Sequence, residues 1–215
     1  ETRCYREIRD LLAAPATRGL IRDSFPRPEV TRRNTGYALD ALMDASCFDA
    51  ASGRPFNICR LLAGSEGTLF LGVEFELDLL PLPPPGGLLC VHCATVDEAL
   101  RATVVVMRDL AATGLRPTAC ELIDKKILDC TKDNLEQARN REFVVGDPGA
   151  VLVVEVRDAD PARLSADLDR VEESLKAGGL GYAYPRLFGA EGDRVWELRR
   201  AGQGLVNNLP GDAKP

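Results

Sequence analysis

The sequence predicts an α+β chain whose second half is a ferredoxin-like sandwich with an antiparallel sheet. Three observations point there. The run Pro81-Leu82-Pro83-Pro84-Pro85-Gly86-Gly87 can continue neither a strand nor a helix, so it divides the chain into residues 1–85 and 86–215. Beyond it, short apolar runs alternate with amphipathic ones in the order β-α-β, β-α-β. The most strand-like stretch, residues 150–156, is a β-branched run entered through Asp147-Pro148-Gly149.

The elements follow in order. Tyr5, Ile8, Leu11 and Leu12 recur at helical spacing up to Pro15, and a second short helix is expected over 17–24, before Pro26 and Pro28. Residues 44–57 read as a polar surface loop. In 73–79 apolar residues alternate with Glu74, Glu76 and Asp78, the pattern of a strand with one solvated face. A strand over 88–93 precedes the capping-box sequence Thr95-Val96-Asp97-Glu98. The helix it opens is expected to bury Val96, Ala99, Leu100, Thr103, Val104, Met107, Leu110 and Ala111, and to stop at Gly114. A strand over 118–124 and a helix over 125–130 come next. After the strand at 150–156, Asp160 and Pro161 cap a helix with Leu164, Leu168, Val171 and Leu175 on one face. Gly178-Gly179 ends it, a strand returns over 180–188, and a last helix covers 191–207.

The totals exclude several classes. A net charge of -6 argues against a nucleic-acid surface, since the densest basic spots, Arg32-Arg33 and Arg199-Arg200, are only pairs. No stretch is long and apolar enough to span a membrane, and no signal peptide is visible. Seven scattered cysteines, an odd number, read as reduced, mostly buried thiols of a cytoplasmic protein rather than a disulfide framework. The chain starts at Glu1 and stops at Pro215 with no polar tail, which reads as an internal piece of a longer protein.

The sharpest local feature is Gly64-Ser65-Glu66-Gly67-Thr68, a tight loop between an apolar segment and the alternating one. Its glycines permit positive φ and close ligand approach, and exposed N–H groups in such a turn suit phosphate or carbonyl oxygens. Taken alone, it reads more readily as a plain turn. Together, Asn34-Thr35-Gly36-Tyr37-Ala38-Leu39 and Leu61-Leu62-Ala63-Gly64-Ser65-Glu66-Gly67-Thr68-Leu69 resemble the flavin-linked oxidases of the vanillyl-alcohol-oxidase type. Within that family the chain looks most like D-lactate dehydrogenases and the flavin subunit of glycolate oxidase. Glu121-Leu122-Ile123-Asp124, Trp196-Glu197-Leu198-Arg199 and Gly211-Asp212-Ala213-Lys214-Pro215 also resemble family landmarks.

The resemblance implies that residues 1–85 are the end of a PCMH-type FAD-binding domain and 86–215 an incomplete substrate-binding cap. It implies FAD as cofactor, touched by Asn34, Tyr37, Gly64, Ser65, Glu66, Gly67, Thr68 and Leu69. It implies a small D-2-hydroxy acid such as lactate or glycolate as substrate, its carboxylate held by Arg199 and Lys214 with help from Gln203. An electron acceptor or iron–sulfur partner would complete the system. The family continues Gly-Thr-Leu-Gly, where this chain has Phe70 in place of the second glycine. Its glycine-rich pyrophosphate site and paired histidines are not among these residues, so the piece alone is expected to be inert and no catalytic residue is assigned.

The residues leave alternatives open. Arg199 and Arg200 read equally as solvated helix charges, and Asn34 and Tyr37 as a turn with a packed ring. Trp196 reads as a core anchor. Cys90-Val91-His92-Cys93 lacks the second pair a zinc site needs, and in a strand its two thiols point to opposite faces. Two rival functions remain: an oxidase of the same family acting on an alcohol, an aldonolactone or an ether phospholipid precursor, and a ferredoxin-like module that binds a small effector or dimerises without catalysis.

Overall fold

The computed structural model of the chain describes residues 2–27, 29–30, 36–132, 134–208 and 211. They form two units that meet between Leu79 and Leu80.

In the first unit, α1 (Thr2–Ala13) and α2 (Pro15–Ser24) are separated only by Ala14. Pro15 ends one helix and opens the next, because a missing N–H costs nothing at a first helical position. Leu12 and Ile21 bury their faces against Leu42 of α3 (Leu39–Met43) and Leu61 of α4 (Cys59–Leu62). Ile8, Phe25, Phe48 and Phe56 pack around this small core, whereas Tyr5 and Leu11 stay exposed. The expected loop over 44–57 is irregular apart from a single 3-10 turn, Ala50–Ser52.

The strand expected over 73–79 is absent: this stretch forms no regular secondary structure and pairs with no strand among the described residues. Val73, Phe75, Leu77 and Leu79 are 91%, 64%, 74% and 89% exposed. A lone strand leaves every backbone donor and acceptor to water, so alternation alone cannot make it part of a sheet.

The second unit has the ferredoxin-like order. Its four-stranded sheet runs β2-β3-β1-β4, antiparallel throughout: β1 Gly86–Cys93, β2 Ala119–Asp124, β3 Ala150–Arg157 and β4 Arg186–Phe188. Leu89, Val91 and Cys93 with Leu152, Val154 and Val156 form one face. It is covered by α5 (Val96–Val104), whose last turns continue as a π-helix (Val105–Leu110), and by α8 (Pro161–Ala177). Leu88, Cys90, Val151 and Val153 form the other face, covered by α6 (Lys125–Cys130) and α9 (Ala190–Asn207). The expected strand over 180–188 is regular only from Arg186. Upstream it follows the β1 edge through one bridge, His92 to Ala183, because Pro185 has no N–H for the ladder.

The caps behave as their side chains dictate. Thr95 accepts from the Glu98 N–H at 3.1 Å, Asp124 from Ile127 at 2.9 Å and Asp160 from Ala162 at 2.9 Å. Each such cap contributes about 1 kcal/mol. Glu98 also accepts from the N–H groups of Ala94 at 2.8 Å and Gly181 at 2.7 Å, so the box ties the helix start to a distant turn. The α8 stripe is the expected one: Leu164, Leu168, Val171 and Leu175 are all buried. The α5 stripe is the expected one only in part. Ala99 and Leu110 face the core as expected, joined by Ala102 and Val106, whereas Val96, Leu100, Val104 and Met107 lie outside. Small residues at 99 and 102 let α5 approach the sheet closely. A short α7 (Leu135–Ala138), capped by Asn134, also went unanticipated.

Candidate functional site

Two groups of expected residues come together, one in each unit. In the first unit, the loop after α4 turns sharply. Ser65 is buried and donates to the Leu62 carbonyl from both N–H (3.1 Å) and Oγ (2.9 Å). Thr68 returns to the Ser65 carbonyl from its N–H at 2.9 Å and its Oγ1 at 2.5 Å. Tyr37 Oη lies 2.8 Å from Thr68 Oγ1. The threonine proton is already committed to Ser65, so the phenol is the donor, and the chain Tyr37 to Thr68 to Ser65 clasps the loop. Glu66 (φ 48°) and Gly67 (φ 77°) both sit in the left-handed region. That is free for glycine and costs about 1 kcal/mol at Glu66.

The N–H groups of Glu66 and Gly67 have no hydrogen-bond partner among the described residues. Beside them lies an open hollow of about 800 Å³ lined by Gly36, Tyr37, Arg60, Gly64, Ser65 and Glu66. Arg60, which donates to the Ala41 carbonyl at 3.3 Å, was not anticipated; nothing in its sequence setting distinguishes it from a solvated charge. Leu69 is exposed beyond the hollow. Asn34 lies outside the described residues.

In the second unit, Arg199 projects from α9 toward β2, where its Nε ion-pairs with Glu121 Oε2. Two stretches distant in sequence, 121–124 and 196–199, therefore meet. The guanidinium is about half exposed, and its terminal nitrogens have no partner among the described residues. Held from Nε, the half-exposed planar group keeps its Nη nitrogens available for a second carboxylate. Gln203, one turn on, makes a 3.4 Å contact to Asn207 and is exposed. Lys214 lies outside the described residues. Trp196 is partly buried against the core between sheet and α9, and Glu197 holds the buried Asn140 Nδ2 at 3.2 Å. The role of Glu121 was missed because a carboxylate on a strand reads as solvated until its helix partner is known.

His92 and its neighbouring cysteines do something else. Cys90 faces α9 and Cys93 faces α5. His92 is fully buried, its Nδ1 is 3.0 Å from the Cys90 carbonyl, and its Nε2 accepts from the Val145 N–H at 3.1 Å. These contacts require the proton on Nδ1, and burial pushes the ring's pKa below the usual 6.5. Burial likewise pushes the Cys90 thiol up to about 12, which leaves it without thiolate chemistry. His92 pins the loop at Val145 to the centre of the sheet.

Comparison with known proteins adds the context. The family model described as "FAD linked oxidases, C-terminal domain" matches residues 83–215. The D-2-hydroxyglutarate dehydrogenase of Escherichia coli K12 is 30% identical over 210 residues, 92% of this chain and 19% of that protein. Its counterpart in Pantoea ananatis is 28% identical across 100% of this chain and 20% of its own length. The glycolate oxidase subunit GlcD of Escherichia coli K12 is 29% identical over 167 residues, 76% of this chain and 31% of its own. The chain thus spans about a fifth of the dehydrogenases it matches.

Proposed function

The chain belongs to the FAD-linked oxidase family, and we propose that it is part of an FAD-dependent dehydrogenase or oxidase acting on a D-2-hydroxy acid. The observation that carries this reading is that relatives named for two different 2-hydroxy acids align over three quarters of the chain or more. Residues 1–85 would be the end of the FAD-binding domain and 86–215 the cap.

The glycine loop fits a flavin edge. It offers two unpaired backbone donors beside an 800 Å³ hollow, within the size range of cofactor sites. Gly64, Ser65, Glu66, Gly67 and Thr68 would hold the ring system, with Tyr37 keeping the loop in shape and Asn34 and Leu69 at its border. When bound, FAD supplies the acceptor for the hydride that leaves the substrate α-carbon. Arg199 would bind the substrate carboxylate through its free Nη edge, oriented by Glu121 and assisted by Gln203 and Lys214. The base that removes the hydroxyl proton is not among the residues assigned. A cytoplasmic location and an electron-accepting or iron–sulfur partner complete the proposal. No helix among the described residues is long and apolar enough to cross a membrane.

The test is Arg199→Ala in the flavin-loaded parent protein. Loss of a charge-assisted bidentate contact predicts KM for the hydroxy acid raised on the order of tenfold or more. Arg199→Lys should recover part of that. An unchanged KM in Arg199→Ala would transfer the reading to the family's carboxylate-independent chemistries.

A further inference from the structure

The outer face of α5 carries an apolar ridge that the fold leaves uncovered. Val96, Leu100, Val104 and Met107 succeed one another at spacings of four, four and three, and are 42%, 54%, 45% and 51% exposed. Isolated exposed apolar residues are ordinary, but a contiguous row on one helix marks a contact surface.

The ridge is self-complementary. If a second α5 lies antiparallel across it with Leu100 opposite Val104 of the other copy, Val96 falls within one residue of its Met107. Asp97 and Arg108 lie on the same flank of the ridge, and the same register brings Asp97 within one residue of Arg108 in the other copy. In an antiparallel pair equal flanks face each other, so this ion pair forms twice about one two-fold axis. Asp97 holds Arg101 through Oδ2 at 3.1 Å, and its Oδ1 has no partner among the described residues. Arg108 contacts only the adjacent Asp109, and is 76% exposed. An unrelated partner would not require a pattern that reads the same in both directions.

We infer that α5 is a homodimerisation surface, closed by a second copy of this chain through antiparallel packing of Val96, Leu100, Val104 and Met107 and reciprocal Asp97–Arg108 pairs. The ridge lies on the side of the sheet opposite α9, so Arg199 stays accessible in the dimer. The inference is independent of the proposed flavin chemistry.

Sedimentation of the chain over a wide concentration range tests it. A monomer–dimer equilibrium is expected, abolished by Leu100→Glu. Asp97→Arg and Arg108→Asp should each raise the dissociation constant roughly tenfold by placing like charges opposite each other, and the double charge swap should restore it. Circular dichroism of the variants excludes unfolding as the cause, since all the sites are exposed. A chain that stays monomeric overturns the inference. So does a dimer that survives Leu100→Glu but is lost in Leu77→Glu, which would assign self-association to the extended segment instead.

Discussion

Replacing His92 with leucine tests how the four-stranded sheet is held together. Leucine fills nearly the same volume but can neither donate to Cys90 nor accept from Val145, contacts of 3.0 and 3.1 Å in the native protein. Each hydrogen bond contributes about 1 kcal/mol net, so the variant should unfold about 2 kcal/mol more easily at pH 8. The pH dependence sharpens this. The folded protein keeps the ring neutral, with its pKa below the ordinary 6.5. As pH falls the unfolded chain binds the proton first, so the stabilisation is complete above 6.5 and declines below it. The decline can reach about 1.4 kcal/mol per pH unit. This is the chain's single histidine, and a carboxylate in a model peptide titrates near pH 4. The interval from pH 6.5 down to 5 therefore reports one group. Urea denaturation at pH 8, 6.5, 5.5 and 5 should show the native protein losing stability while His92→Leu stays nearly flat and the gap between them closes. Parallel curves, or a variant within about 0.5 kcal/mol of native at pH 8, would refute the structural role assigned to the ring.

Two further outcomes follow from the packing. Tyr37→Phe removes the donor that clasps Thr68 and should weaken flavin binding by the parent protein roughly fivefold, about 1 kcal/mol, with little change in melting temperature; titration of the apoprotein with FAD measures it. Gly202→Val should cost about 1–3 kcal/mol in denaturant unfolding, because a Cβ there would run into Ile127 Cγ2 where α9 crosses α6.

The legible parts of the fold were those written in local chemistry. The caps at Thr95 and Asp160 and the α8 stripe are decided within one or two turns, and they fix helix positions to within a residue or so. Residues 73–79 misled because alternation states which face wants burial but not whether a neighbouring strand exists to accept the backbone bonds. The α5 stripe was right at Ala99 and Leu110 but misled at Val96, Leu100, Val104 and Met107, because close packing on the sheet selected Ala102 and Val106 in their place. In the candidate site, Tyr37 and the glycine loop were visible as motifs, but the proton chain that joins them depends on residues 31 positions apart. The Arg199–Glu121 pair and the burial of His92 depend on strand register and helix docking, which no local pattern encodes.

The proposed function makes this chain part of a flavin enzyme that recognises its substrate as a carboxylate-bearing D-2-hydroxy acid. Anaerobic mixing of the flavin-loaded parent protein with single substrates, followed by flavin absorbance, tests it most directly. Rapid bleaching by a D-2-hydroxy acid is expected, with little response to the L enantiomer or to the matching alcohol without its carboxylate. Equal bleaching by the alcohol, or none by any 2-hydroxy acid, would contradict it.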